Sequence, residues 1–337
     1  MALVVSEPLR KMKVLAYLDV SVYGLEQAER VLEASSVNEI SIYNPSRLFR
    51  VDDKFYCLAR VEKRPYSATG KSTVWLCECD FSERNIRLTL KKLIHNDFVC
   101  KVEDPWVQIV EDRFYVSVIC FDGKNYWQEF YRVNTRDLTI SHDNRITSLP
   151  MGVKGTRFYP AEDKVYVFVR PPVGSKLKDL VSGREFTSLG NQVGYHVFEL
   201  AEFDFNNLSQ LAGCFRVPPT YLGNLLDCGS QNVWVGINDV AFLGNRSYLV
   251  YHSGTYVGSN KHYKGYISEL ALGATVEVSA PLAIFERKNF GSQSHDQLEE
   301  LFDVVYPSSV TTLADNKLLI LFGLSDTSIG ASLIHLE

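Results

Sequence analysis

The stretch Val102–Tyr115, VEDPWVQIVEDRFY, decides how the rest of the chain is read. Two carboxylates, Glu103 and Asp104, stand before a proline, and Val107–Val110 follows as a short strand. Glu111-Asp112-Arg113 then makes a turn, and a second strand leaves from Phe114. The turn has the form Asp or Asn, a basic residue, any residue, then Tyr or Leu. It recurs at Asp53-Lys54-Phe55-Tyr56, Asp163-Lys164-Val165-Tyr166, Asn245-Arg246-Ser247-Tyr248 and Asn316-Lys317-Leu318-Leu319. Asp and Asn suit such turns because their side chains bond local backbone groups and tolerate left-handed geometry. An apolar strand follows each turn (FYCLARV, FYVSVIC, VYVFVR, SYLVYHS, LLILFGL), and a further strand follows most of them.

Successive copies start 59, 51, 82 and 71 residues apart, which is no strict short repeat. Five irregular units of three or four strands predict an all-β fold, a five-bladed β-propeller. A β-sandwich is the alternative that the same strands and turns allow. The blades are expected to open near residues 40, 102, 153, 234 and 301 of a single domain spanning 1–337. Residues 1–39 precede them, with a candidate strand, Lys13–Val20, placed to close the circle with the last blade. A short amphipathic helix is expected between Leu25 and Ala34, where Leu25, Ala28, Val31 and Leu32 recur at helical spacing. Pro171–Gly194, rich in Gly, Ser and Lys, reads as a surface excursion.

The 337 residues are 46% hydrophobic and 22% charged, with enough apolar material for a large core. Their net charge of −5 and the absence of any Lys/Arg run argue against a nucleic-acid binder. No apolar run approaches the roughly 18 residues of a membrane span. Seven cysteines sit largely within apolar strands and are expected to be reduced thiols of a cytoplasmic protein, with Asn207 and Asn245 unglycosylated. Cys77-x-Cys79 lacks the second pair that a zinc site needs. The acidic balance fits a monomer or a small homo-oligomer.

In a propeller the innermost strands line the axis, so the residues that open them converge on one cavity. Those residues are Asn44-Pro45, Asp104-Pro105, Lys154-Gly155-Thr156-Arg157, Asn238-Asp239 and Asp303, with Arg60, Arg170, His252 and Asp326 at the ends of the paired second strands. Each alone is what a turn needs, since Asp-Pro and Asn-Pro are good turn formers. The same slot being polar in all five units points to a ligand site, and such a ring suits a polyhydroxylated ligand. Asp104, beside Glu103, meets the conditions that raise a carboxyl pKa for general-acid work. Lys154, Arg157, Arg170 and His252 can hold an anion such as phosphate. An acid facing an anion across a sugar is a phosphorolytic centre. No Gly-rich phosphate loop, nucleophile elbow or metal motif appears, and His95, His142, His196, His262 and His295 are scattered without a role.

At these residues the chain resembles a known family. IYNPSRLF (42–49), FYCLARVE (55–62), EDPW (103–106), KGTRF (154–158), FVRPP (168–172), WVGINDV (234–240), DVVYPSS (303–309) and LFGLSD (321–326) occur in the order found in the mannosyltransferase/phosphorylase family of Leishmania and its bacterial relatives. More distantly they resemble the inverting β-mannoside phosphorylases. The resemblance covers roughly residues 40–337 and implies a five-bladed propeller that makes or degrades β-1,2-linked oligomannosides, the mannogen reserve. It implies Asp104 as the general acid, with Asn44, Arg60, Glu103, Trp106, Asp239, Asp303 and Asp326 around the sugar and Lys154, Arg157, Arg170 and His252 around the anion. It implies no cofactor or metal, only a co-substrate: inorganic phosphate or mannose 1-phosphate, or else GDP-mannose. Two positions depart from the mannoside phosphorylases: Trp106 stands where they carry Arg, and Gly155 where they carry Asp. An indole at Trp106 either stacks on a sugar or fills the core. A phosphorylase, a GDP-mannose-dependent transferase, a hydrolase with Asp239 or Asp303 as base, and a non-catalytic glycan-binding propeller remain open on these residues.

Overall fold

The computed structural model describes residues 12–64, 71–82, 84–94, 100–110, 113–133, 138, 140, 142–209, 211, 214–218, 222, 233–291 and 301–336. The turn residues Glu111 and Asp112, together with His95, Cys228 and His295, lie outside them. Strand β1 (Met12–Tyr23) and helix α1 (Leu25–Leu32) come first, and α1 buries Ala28 and Leu32 against the sheet behind it.

Five antiparallel meanders follow. The first contains β2 (Ile40–Tyr43), β3 (Phe49–Val51), β4 (Lys54–Lys63), β5 (Ser72–Phe81) and β6 (Asn85–Leu93). The second contains β7 (Lys101–Val110), β8 (Arg113–Phe121), β9 (Tyr126–Val133) and β10 (Arg145–Ser148). The third begins with β11 (Lys154–Ala161) and β12 (Lys164–Arg170). Next comes the hairpin β13 (Lys176–Asp179) and β14 (Glu185–Thr187), before β15 (Gly194–Glu199) returns to pair with β12. After helix α2 (Phe205–Ser209), β16 (Cys214–Phe215) adds to β13, so the expected surface excursion builds a small sheet of its own. The fourth meander is β17 (Trp234–Leu243), β18 (Arg246–Val257), β19 (Asn260–Ala271), β20 (Glu277–Val278) and β21 (Ala283–Phe285). The fifth is β22 (Val305–Thr312), β23 (Lys317–Leu324) and β24 (Ser328–Leu336). All five turn signals do the same work: β4, β8, β12, β18 and β23 each start on the basic residue.

The first strand of every meander is broken at one level. Register shifts fall between Glu103 and Trp106, between Lys154 and Arg157, between Ile237 and Asp239, and between Pro307 and Ser309. In the first meander β2 and β3 both pair with β4, and the break widens to the five residues between them. A bulge bends its strand and re-aims a side chain. Asn44 (φ 49), Asp104 (φ 45) and Gly155 (φ 67) take left-handed backbone there, which Asn, Asp and Gly tolerate best.

First strands of successive meanders lie side by side, β7 with β11, β11 with β17 and β17 with β22, while β2 meets β23. The core fills the spaces between neighbouring sheets. Phe49, Val107 and Val116 join the first and second; Trp106, Phe158 and Leu249 the second to fourth; Ala241, Val310 and Phe322 the fourth and fifth. β1 joins the two ends, pairing antiparallel with β24 and then parallel with β6, as the strand expected at Lys13–Val20 required. No helix among the described residues is long and apolar enough to cross a membrane.

Candidate active site

On one side of the pocket stands a buried acid cluster. The Arg60 guanidinium, 5% exposed, donates to Glu62 at 2.8 Å and Glu103 at 2.9 Å, and lies 4.0 Å from Asp104 and over the Tyr43 ring. Lys101 pairs with Glu62, which also accepts from the Tyr43 hydroxyl at 2.6 Å. Arg60 is therefore the clamp that holds the carboxylates, whereas the sequence placed it on the sugar; its Nε and Nη2 are taken by Ser72, Glu62 and Glu103. Asp104 keeps part of its carboxyl open (side chain 19% exposed) and accepts one hydrogen bond, from Asn44 Nδ2 at 2.6 Å. The bulge points Asp104 outward, and the wide break in the first meander brings Asn44 to it.

Facing this cluster are cations, two of them without a counter-ion among the described residues. Lys154 and Arg170 are direct partners across β11 and β12. Among the described residues Arg170 has no hydrogen bond or ion pair, and the Lys154 ammonium has only the Tyr126 ring, 3.8 Å away. Burial and then Arg170 push the Lys154 ammonium down to about 8, while Glu103 and Asp104 act on it in the opposite sense. A cavity of about 330 Å³ opens beside this pair, lined also by Lys124, Tyr126 and Pro172. Lys261, 3.8 Å from Asp326, completes the basic side, and burial fails to neutralise it because Asp326 holds its proton.

His252 is brought to the same place, but without a charge. Burial, then Arg170, Lys261, Lys154 and Arg157, drive it well below the usual imidazole range. A neutral ring then donates from Nδ1 to Asn238 Oδ1 at 2.7 Å and keeps Nε2 as an acceptor. The expectation of a charge-assisted anion contact from His252 is corrected accordingly. Arg157, 2% exposed, stacks on Trp106 and donates to the carbonyls of Asn238 and Thr156, so only part of its fork is free for a ligand.

Three further expectations change. Trp106 is 1% exposed and packed edge-on against Phe158 and Tyr159, so it fills core and presents no face to a sugar. Asp239 is fully buried; it pairs with Arg47 and accepts from Tyr159 Oη at 3.0 Å, Val240 N at 3.1 Å and Val310 N at 2.9 Å, with Trp106 Nε1 at 3.4 Å. It ties together all five meanders, and its burial closes it off from substrate. Asp303 precedes β22, is half exposed and is bound to His262 at 2.7 Å; the position in register with Asp104 is Ser308, whose hydroxyl donates to Leu321 O at 3.0 Å.

Several members of the site escaped the sequence reading. Tyr306 lies on β22 and Lys261 and Tyr263 on β19, strands to which the sequence assigns no site residue, and Arg47 follows Asn44-Pro45 with no role assigned. Two glycines make room. A Cβ at Gly323 would sit 1.9 Å from Asn44 Oδ1, and one at Gly236 would sit 2.5 Å from His252 Cε1.

No family model matches the chain, and no curated protein matches it by sequence. Solved structures do match. The chain is similar to MPT-4, a mannose phosphorylase from Leishmania mexicana solved with a phosphate ion (18% identity, TM-score 0.66, covering 96% of this chain and 89% of that one). It is similar to MPT-1, a GDP-Man-dependent mannosyltransferase from Leishmania mexicana (17% identity, TM-score 0.63, 96% and 91%). It is also similar to the β-1,2-mannobiose phosphorylase of Listeria innocua, solved with β-1,2-mannobiose (14% identity, TM-score 0.58, 88% and 90%). At these identities the likeness establishes a shared fold, and the resemblance carried by the motifs has its counterpart in structure.

Proposed function

We propose that the protein is a β-1,2-oligomannoside phosphorylase of mannogen turnover, a cytoplasmic enzyme whose five meanders are the blades of one propeller. The observation that carries this reading is Asp104, open on one side and oriented by Asn44, opposite the unpaired cations Lys154 and Arg170. Half-buried cations without counter-ions are costly, and a bound anion relieves that cost. In the forward step the Asp104 carboxyl gives its proton to the glycosidic oxygen. A phosphate oxygen held by Lys154 and Arg170 attacks the anomeric carbon from the opposite face. The old C–O bond breaks as the new one forms, giving mannose 1-phosphate and a chain one residue shorter; the reverse step extends the chain. No cofactor enters, only phosphate.

Asp239 is unable to activate water from its buried seat, which weighs against a hydrolase. A GDP-mannose-dependent transferase needs the same anion and mannose positions, and the cavity beside Lys154 and Arg170 gives room for a larger phosphorylated donor. The test is incubation of the protein with β-1,2-mannotetraose and inorganic phosphate, followed by phosphorus NMR. Mannose 1-phosphate is expected, and Asp104→Asn should abolish it. Free mannose alone would replace the proposal with hydrolysis, and chain extension from GDP-mannose but not from mannose 1-phosphate would replace it with the transferase.

A further inference from the structure

A run of rings leads away from the acid to the surface. Tyr306, on which Asp104 acts electrostatically, lies 4.9 Å from His252. His252 is stacked on Tyr263 at 5.2 Å and 19°. Tyr263 meets Trp234 edge-on at 5.6 Å and accepts from its indole N–H at 3.2 Å. Trp234 in turn meets Tyr256 at 5.2 Å. Exposure grows along the run, from 3% at His252 to 55% at Tyr256, with Val257 beside it at 63%.

The backbone is built to present this run. β18 and β19 have 12 residues each, against 9 and 8 in β8 and β9, and their ladder continues to Val257 and Asn260. β17 stops opposite Gly254, so the hairpin rises beyond its own meander as a wall beside the pocket. Gly254 lets the rings meet. A Cβ there would come within 2.4 Å of both Trp234 and Tyr263. The wall alternates apolar faces with polar tips, among them the Tyr263 hydroxyl and Lys261, whose ammonium lies 4.7 Å from the Tyr263 ring.

We infer that this hairpin is a distal saccharide platform, on which Trp234 and Tyr256 stack the sugar residues of an oligosaccharide beyond those held at Asp104. A pyranose offers one apolar C–H face and a rim of hydroxyls, and rings with polar tips match both. Continuity with the pocket selects the occupant: the chain that reaches the acid must lie against its wall. The inference rests on the reading of the pocket as a mannoside site, and it makes Tyr256 a determinant of chain-length preference.

The experiment compares wild type, Tyr256→Ala and Tyr256→Phe in phosphorolysis of β-1,2-mannobiose and β-1,2-mannotetraose. In parallel, tryptophan fluorescence is titrated with both sugars in the absence of phosphate. Tyr256→Ala should lower the tetraose-to-biose ratio of kcat/KM by about five- to tenfold, through KM, and Tyr256→Phe should restore it. An unchanged ratio in Tyr256→Ala overturns the platform while leaving the phosphorylase standing. Tyr256-dependent binding of tetraose without any turnover sustains the platform and removes the phosphorylase. Equal binding of the two lengths by wild type, or binding of neither, overturns the platform.

Discussion

Two aspartates stand at the same level of two meanders and meet opposite fates. Asp104 lies within the break of β7, keeps an open edge and takes one hydrogen bond from Asn44. Asp239 lies at the end of the break in β17, is fully buried and is held by donors from the other four meanders. Side chains alternate across a strand, so a single step in register separates a carboxylate that can reach a ligand from one that cannot. The chemistry is set by the bulge and not by residue type.

The widest gap between the two comes from removing each charge in turn. Asp104→Asn should lower kcat for phosphorolysis by about 10²–10⁴-fold while the urea midpoint moves by less than about 1 kcal/mol equivalent. Asp239→Asn should do the reverse. The Arg47 guanidinium would be left without its partner, at a cost of about 3–5 kcal/mol in urea unfolding, and the folded fraction should retain its kcat. A large stability loss in Asp104→Asn, or a large kcat loss in folded Asp239→Asn, would reverse the assignment.

Gly323→Ala sharpens the comparison without touching either carboxylate. The added methyl collides with the Asn44 amide, releasing its bond to Asp104, and kcat should fall about ten- to a hundredfold with little change in the urea midpoint. The smallest effect is on the basic side. The Lys154 ammonium is held down at about 8, below its ordinary value of 10.5. Between those two values the unfolded chain keeps a proton that the folded one has lost, so this lysine's contribution to stability rises with pH across that window. Phosphate binding has the opposite dependence, because it needs the charge: its affinity should weaken as pH rises through about 8, with proton uptake on binding above that point. Calorimetry in buffers of different ionisation enthalpy reads both, and Lys154→Met should abolish the uptake.

Much of this was legible in the chain. Asp or Asn followed by Lys or Arg marks the start of all five second strands, because the turn chemistry is local. Asn44, Asp104, Lys154, Arg170 and His252 were named from their slot and do converge. Register was not legible. Asp303 is polar and precedes a strand, as an opening residue should, yet the break in the fifth meander falls at Ser308. Asp239 and Trp106 look like site residues until burial is known. Lys261, Tyr263 and Trp234 gather only because one hairpin outgrows its neighbours, and strand length is a tertiary property that flanking residues mark poorly.

The first strand belongs to two sheets at once, bound to β24 through Met12–Leu18 and to β6 through Asp19–Tyr23. The joint between the ends of the fold is thus a ladder of hydrogen bonds that works as a clasp, with partners more than 300 residues apart in the chain. Asn44 and Gly323 touch on opposite sides of that joint, and Ile42 N reaches Thr327 O across it at 3.3 Å. The residue that aims the acid is therefore seated by the closing of the fold. On the proposed function, turnover would report that the clasp is shut, and loosening it anywhere along β1 would register at Asp104 before the sheets themselves come apart.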